Sequence, residues 1–292
     1  MLRHRLPASS SHLMTDVLGV LESLHPVVVR AADGRVITVD PTDVVALKAV
    51  PPRPPSTRAV RALEHAAALA WPGLEHAWLD GWLLRAGAGF TGRANSCVPL
   101  GGAPEDAVAR VCTWYDERGL VPRVSQPDRL AVDLPGWRTA DRCVVLTAPV
   151  AAVTGDQVDV RPDVDDAWLA GCHYRSAELP AAAAGVLRSV VDGELGFGRV
   201  ERGGELVAVA RGAVTAAPDG TRWLGLTAVE VMPGARRQGL GTRVCAGVAA
   251  WGASLGAEQV YLQVAADNGA ALRLYADMGF TEHHRYSYAL VR

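Results

Sequence analysis

Two periods of hydrophobic spacing run through the C-terminal third of this chain. Val260, Leu262 and Val264 alternate with Tyr261 and Gln263, as one face of a strand does. Leu240, Val244, Val248, Trp251 and Leu255 step by four, four, three and four residues, the signature of one helix face, and Gly256 follows as a stop. Val207 to Val214 and Trp223 to Met232 predict two strands around the turn Pro218-Asp219-Gly220. Asn268 predicts the cap of a second helix, Gly269 to Met278, closed by Gly279, and Phe280 with Tyr286 to Val291 predict final strands. Two successive strand–helix units imply parallel pairing within a mixed sheet flanked by helices, an α/β architecture.

Upstream the pattern changes. Residues 1–55 predict a small β-rich, barrel-like module. Val27 to Val29 and Val36 to Val39 are β-forming runs on either side of Asp33-Gly34, a hairpin turn signal. Pro51-Pro52-Arg53-Pro54-Pro55 then reads as a stiff, extended linker. Residues 56–150 predict a half-domain with a helix from Arg58 to Ala70, strands at Trp78 to Arg85 and Arg93 to Leu100, a helix from Glu105 to Arg118 and a closing strand from Val144 to Val150. Residues 151–292 form the third region. Gly87-Ala88-Gly89-Phe90-Thr91-Gly92 matches a dinucleotide-binding glycine pattern. No amphipathic helix follows it, so a hairpin or bulge is expected there.

Composition narrows the class. With 49% hydrophobic and 21% charged residues the chain reads as globular, and no apolar run approaches the roughly 20 residues of a membrane span. Met1 to Leu24 lacks the apolar core of a signal peptide, so a cytoplasmic location is expected. A net charge of −2 offers no basic excess for nucleic acid. Five scattered cysteines without a C-x-x-C pair read as reduced thiols, neither a disulfide frame nor a metal site.

The chemistry concentrates at Arg236-Arg237-Gln238-Gly239-Leu240-Gly241, between the strand ending near Met232 and the long helix. A glycine-rich turn opening a helix aims several backbone N–H groups at one point at the positive end of the helix dipole, a ready site for phosphate or pyrophosphate. Downstream comes Asn268-x-x-Ala271-Leu272-x-Leu274-Tyr275-x-x-x-Gly279-Phe280. The two motifs, in this order and context, resemble the GNAT superfamily of acyl-CoA-dependent N-acyltransferases, over about residues 205–285.

The resemblance implies a GNAT fold and acetyl-CoA as cofactor. It implies that the backbone of Arg236, Arg237, Gln238, Gly239, Leu240 and Gly241, with Thr242 beyond, cradles the pyrophosphate. Val229, Glu230 and Val231 would pair with the pantetheine arm, and Asn268 would fix that arm near the thioester. Tyr275 would face the sulfur and protonate the departing thiolate. As structural alternatives, Asn268 serves only as a helix cap and Tyr275 only as a core aromatic. Glu230 is the main candidate base, with His173 and Glu178 as alternatives; His283 and His284 are expected in a surface hairpin. The middle region reads as a degenerate GNAT-like half, as in tandem GNAT proteins, lacking the glycine motif. The expected function is acetyl transfer to a primary amine of a small molecule or peptide by direct attack. The alternatives are an acyl-CoA-binding sensor and a protein-interaction module.

Overall fold

The computed structural model describes residues 1–7, 9–31, 33–50, 54–102, 104–173 and 178–291. The described chain divides into two compact units, 1–53 and 54–292. The expected proline linker falls partly outside the described residues, at Pro51 to Arg53.

The first unit contains β1 (Leu2–Arg5), β2 (Met14–Val17), β3 (Gly19–Leu24), β4 (Val27–Ala31), β5 (Val36–Val39) and β6 (Val44–Leu47). They form two antiparallel three-stranded sheets, ordered β2-β1-β6 and β3-β4-β5. Gly34, at φ +84°, makes the turn between β4 and β5 that the Asp33-Gly34 pair predicts. Leu2, Val27, Val29 and Val39 form its small core.

The second unit opens with α1 (Thr57–Ala70), whose first turn is capped by the Ser56 hydroxyl accepting from the Ala59 N–H at 3.2 Å. Then follow β7 (Glu75–Leu79), β8 (Trp82–Ala86), β9 (Val98–Pro99), α2 (Ala107–Asp116), β10 (Arg123–Pro127), β11 (Arg138–Pro149), α3 (Val150–Val153) and β12 (Asp159–Arg161). The chain continues through α4 (Asp166–Gly171), α5 (Ala183–Leu187), β13 (Glu194–Arg202), β14 (Glu205–Ala216), β15 (Arg222–Val231), α6 (Leu240–Ser254), β16 (Gln259–Ala265), α7 (Gly269–Asp277) and β17 (Thr281–Leu290).

Eight strands form one mixed sheet in the order β10-β17-β11-β16-β15-β14-β13-β12, with β15 and β16 as its parallel pair. Helices flank both faces. On one, α6 and α7 bury Leu240, Val244, Val248 and Tyr275 against Leu224, Leu226, Val260 and Leu262. On the other, α1 lays Leu63, Ala66 and Ala67 against Trp223, Tyr261 and Tyr286. The closeness of α6 explains two strand glycines: a Cβ at Gly198 or Gly212 would stand 2.3 or 2.6 Å from Val248.

Three expectations change. Strand β11, expected to close a separate half-domain before residue 151, lies inside the large sheet, antiparallel to both β16 and β17. The stretch Arg93 to Leu100 is not one strand; a 3₁₀ turn at Arg93–Asn95 precedes the two-residue β9. Asn95 is the reason. Its Oδ1 accepts from the N–H groups of Gly87 and Gly89, and its Nδ2 donates to the carbonyls of Phe90 and Thr91. One buried amide thus satisfies backbone that a ladder would otherwise pair. Third, the final strands are one ten-residue strand, β17, and His283 and His284 lie in it rather than in a surface hairpin. His284 is buried, with Nε2 2.9 Å from Glu64 Oε1 on α1 and Nδ1 2.8 Å from His283 Nδ1.

Candidate functional site

The site begins where the sheet parts. The parallel register between β15 and β16 runs from Trp223–Gln259 to Leu226–Leu262 and stops there. Beyond it, β15 continues to Val231 paired on its other edge with β14, while β16 continues to Ala265 paired with β11. Ala228 sits at φ +49°, where the β14–β15 register slips between Val209 and Arg211. That bulge turns the strand. A wedge opens between the strands, and the backbone of Val229, Glu230 and Val231 faces it with no strand partner on that side among the described residues.

At the wide end of the wedge, Pro233–Ala235 form a 3₁₀ turn, and Arg237 and Gly239 adopt φ of +59° and +73°. Gly239 occupies the N-cap position of α6 without a capping side chain. Among the described residues, no acceptor takes the N–H groups of Arg237, Gln238, Gly239, Leu240, Gly241 or Thr242; the first bond of the helix runs from the Arg243 N–H to the Gly239 carbonyl at 2.9 Å. Orphan donors at a helix start need an acceptor from outside, and the dipole there prefers an anion. The side chains brace this turn. Arg236 Nε donates to the Val231 carbonyl at 3.1 Å, and the Gln238 amide joins Arg202 at 2.5 Å and the Gly234 carbonyl at 3.4 Å. A Cβ built on Gly239 meets nothing within 4 Å, and one on Gly241 comes no closer than 3.4 Å, to Leu274. The cradle is therefore open and its residues fit a pyrophosphate.

The titratable groups gather around Glu230. Glu230 is half-buried; burial raises its carboxyl above the usual range, against the lowering influence of His173 and Arg236. Tyr275, on α7, is buried against Phe280, ring centroids 5.7 Å apart. Burial raises its phenol, and the nearby Cys245 and Glu230 add to this. Cys172 is pushed up to about 12 by burial and by Glu230, so the thiol stays protonated at neutral pH. The structure thus brings Glu230, Tyr275, His173 and Arg236 into one electrostatic neighbourhood. Asn268 caps α7, its Oδ1 accepting from the Ala271 N–H at 3.1 Å. Glu178 lies with His173 beside a smaller cavity of about 420 Å³.

A cavity of about 1080 Å³ adjoins the wedge. Thr227 and Ala228 line it from β15, and Gln263 and Ala265 from β16. Its remaining walls come from segments the motifs do not reach, among them Trp71, Phe90, Arg93, Tyr286 and Tyr288. Its volume is just above the usual range for ligand pockets, about 300–1,000 Å³. The glycine run Gly87 to Gly92 carries part of this wall, which its spacing alone does not reveal. Among the described residues, no helix is long and apolar enough to cross a membrane, and no His, Cys, Asp and Glu cluster suits a metal ion.

Comparison with known proteins agrees with this division of the chain. A family model described as "Probable histone acetyltransferase Rv0428c C-terminal" matches residues 57–289, and one described as "Rv0428c N-terminal Sm-like domain" matches residues 1–48. The chain is 42% identical, over 98% of its length and 92% of the relative's, to the probable histone acetyltransferase Rv0428c of Mycobacterium tuberculosis. It is 26% identical to the uncharacterized N-acetyltransferase YobR of Bacillus subtilis, over 77% of this chain and 97% of that protein. Among solved structures, a GCN5-related N-acetyltransferase from Kribbella flavida superposes with a TM-score of 0.54 at 17% identity, covering 80% of this chain and 95% of that one. A putative GNAT-family acetyltransferase from Novosphingobium aromaticivorans superposes at 0.50 with 21% identity, covering 80% and 96%. At these identities the two structures speak for the fold.

Proposed function

Because this chain belongs to the GNAT acetyltransferases, in the family of Rv0428c, we propose that it moves the acetyl group of acetyl-CoA to a primary amine by direct attack. One observation carries the reading. An unpaired strand edge, Val229 to Val231, leads straight to a helix start whose first six N–H groups lack acceptors. That pairing suits an elongated ligand with an amide-bearing arm and a pyrophosphate, one half added as a strand and the other held at the dipole.

Acetyl-CoA supplies the activated acyl carbon. The N–H groups of Arg237 to Thr242 hold the pyrophosphate, and the edge of Val229, Glu230 and Val231 orients the arm so that the thioester reaches Glu230 and Tyr275. Asn268, already a helix cap, stands beside the arm. Glu230 accepts a proton from the acceptor ammonium, a task its raised pKa suits. The freed nitrogen attacks the acyl carbon, the C–S bond breaks, and the nitrogen gives up its second proton, which restores the Tyr275 hydroxyl. Tyr275 gives its proton to the departing sulfur; its raised pKa keeps it protonated until then. Cys172, held as a neutral thiol, is a poor nucleophile, which favours direct attack over an acyl-cysteine route.

The test is release of free CoA from acetyl-CoA with a panel of small amines and peptides, with the product confirmed by an added acetyl mass. Turnover with at least one amine is expected. Tight acetyl-CoA binding with no acetylated product from any acceptor would identify a sensor instead.

A further inference from the structure

The inner wall of the large cavity is cationic. Arg93 lines it, beside the Tyr286 and Tyr288 rings and Cys143, and its Nε is buried without a hydrogen-bond partner among the described residues. Arg211 lies behind that wall, fully buried. Its guanidinium donates to the carbonyls of Leu187 at 2.7 Å, Ala70 at 3.0 Å and Ser189 at 2.7 Å, and stacks 4.7 Å from the Trp71 ring. Arg123 stands over the Tyr288 ring at 5.2 Å. Among the described residues, no carboxylate comes within ion-pair distance of Arg93, Arg123 or Arg211. The buried carboxylate of this region, Glu64, is engaged by His284. The cavity's acidic residues, Asp141 and Asp267, are exposed.

The wall is also rigid. The loop that delivers Arg93 is pinned by the four hydrogen bonds of Asn95 and by Trp71 Nε1 donating to Thr91 Oγ1 at 3.1 Å. Arg123 occupies the space beside Gly92; a Cβ there would stand 2.2 Å from Nη1. A half-buried arginine with an unmet Nε donor, held on a pinned loop, with Arg123 and Arg211 nearby and no ion-pair partner among the described residues, is suited to grip an anion, which a guanidinium binds through paired N–H donors.

We infer that the acceptor is a small amine that also carries a carboxylate, with the carboxylate seated on Arg93, the body of the molecule against Phe90, Tyr286 and Tyr288, and the amine directed to the wedge. This inference rests on the acetyl-transfer reading. It narrows the acceptor from amines in general to amino acids and related amino-carboxylates with an apolar or aromatic side chain. A long basic peptide does not satisfy a cationic floor. The chemistry is unchanged: the acceptor ammonium loses one proton to Glu230 and, after attack, a second that replaces the one Tyr275 gives to sulfur, the nitrogen gains the acetyl group, and the carboxylate stays intact.

The experiment compares matched acceptors, phenylalanine with phenylalanine amide and leucine with leucine methyl ester, in CoA release by the full chain. A basic histone-tail peptide is included. The free carboxylates are expected to give kcat/KM at least tenfold above their neutral partners. Arg93→Met should remove that preference with the acetyl-CoA melting shift intact, and Arg93→Lys should restore part of it. A second arm needs no turnover. 3-Phenylpropionate, a carboxylate without an amine, should raise the melting temperature of the wild-type protein and not that of Arg93→Met. If Arg93→Met does not fold, the matched acceptors and Arg93→Lys decide. Equal rates for acid and neutral partners, or faster acetylation of the peptide, overturn the inference while transfer stands. A carboxylate shift that depends on Arg93, with no acetylation of any amine, would retain the anion site and remove the transfer reading.

Discussion

Replacing Gly239 with valine tests the glycine turn most directly. Gly239 sits at φ +73°, and a Cβ there meets no atom within 4 Å, so the added side chain costs backbone strain but no packing clash. An L-residue in the left-handed region costs about 1–2 kcal/mol. In a unit of this size that lowers Tm by about 2–8 °C, since 1 kcal/mol corresponds to about 2–4 °C for 150–250 residues. Acetyl-CoA at a hundredfold excess over Kd should stabilise the wild-type protein by about 2.7 kcal/mol, or about 5–11 °C. The valine methyls project into the space the pyrophosphate requires, so Gly239→Val should start from a lower Tm and gain almost nothing from the cofactor. Gly239→Ala carries the same backbone strain with one carbon and should retain part of the shift. Differential scanning fluorimetry with and without acetyl-CoA measures both terms separately. A full-sized shift in Gly239→Val would refute the reasoning, because the cofactor would then be held away from these N–H groups.

Four other outcomes are expected. Tyr275→Phe keeps the buried ring against Phe280 and removes the hydroxyl, so kcat should fall by about tenfold or more while acetyl-CoA affinity holds; unchanged kcat would leave Tyr275 a core aromatic. Glu230→Gln should lower kcat/KM at neutral pH and recover toward wild type at high pH, where free amine is abundant; a wild-type pH–rate profile would send the proton by another route, with His173 next in line. His283 is held down to about 4, mainly by burial and also by His284, so below pH 6.5 the unfolded chain takes a proton that the folded chain refuses. Stability should therefore be flat above pH 6.5 and fall toward pH 4, by only part of the full linkage value because His283 is partly exposed to screening solvent. Urea denaturation of His283→Asn should show a shallower acid limb, and an identical one would place the proton uptake elsewhere. A fragment spanning 151–292 lacks β11, which pairs with both β16 and β17, and should show neither a cooperative melt nor acetyl-CoA binding by calorimetry; a folded, binding fragment would show that the wedge forms without that strand.

The C-terminal elements were legible because their periods are long and their ends punctuated. Leu240 to Leu255 keeps its helical step for four turns and stops at Gly256, which takes φ +81°. The cofactor candidates, Val229 to Val231 and Arg236 to Thr242, lie within one short stretch, with Asn268 and Tyr275 close behind, so their spacing survives in the sequence. The continuity of the sheet across residue 150 leaves no such trace. Val144 pairs with Val264 and Arg285, more than a hundred residues away, and nothing local in Val144 to Val150 names those partners. The histidines misled for a related reason. Glu282 to Arg285 reads as a polar surface run, but the alternation of a strand turns His284 inward, where Glu64 satisfies it from 220 residues upstream. Arg93 was read as part of a strand, because the side chain of Asn95, and no pattern of its neighbours, determines that loop.

The two halves of the proposed site are therefore built on different logic and must be joined by something. Cofactor-facing groups come from one local stretch, while the acceptor wall comes from α1's end, the Asn95 loop and β17. Arg211 is a physical join. Its guanidinium ties the carbonyls of Ala70, Leu187 and Ser189 together, and Nη1 reaches Thr227 Oγ1 at 3.4 Å, one residue before the bulge that opens the wedge. Each buried carbonyl it satisfies would cost about 1–3 kcal/mol if left unpaired. A lysine keeps the charge but cannot span acceptors on three separate segments from one planar fork. The register between the proposed acceptor wall and the wedge thus depends on a residue that lines neither, which is why spacing in the sequence points to a donor site and is silent on the acceptor.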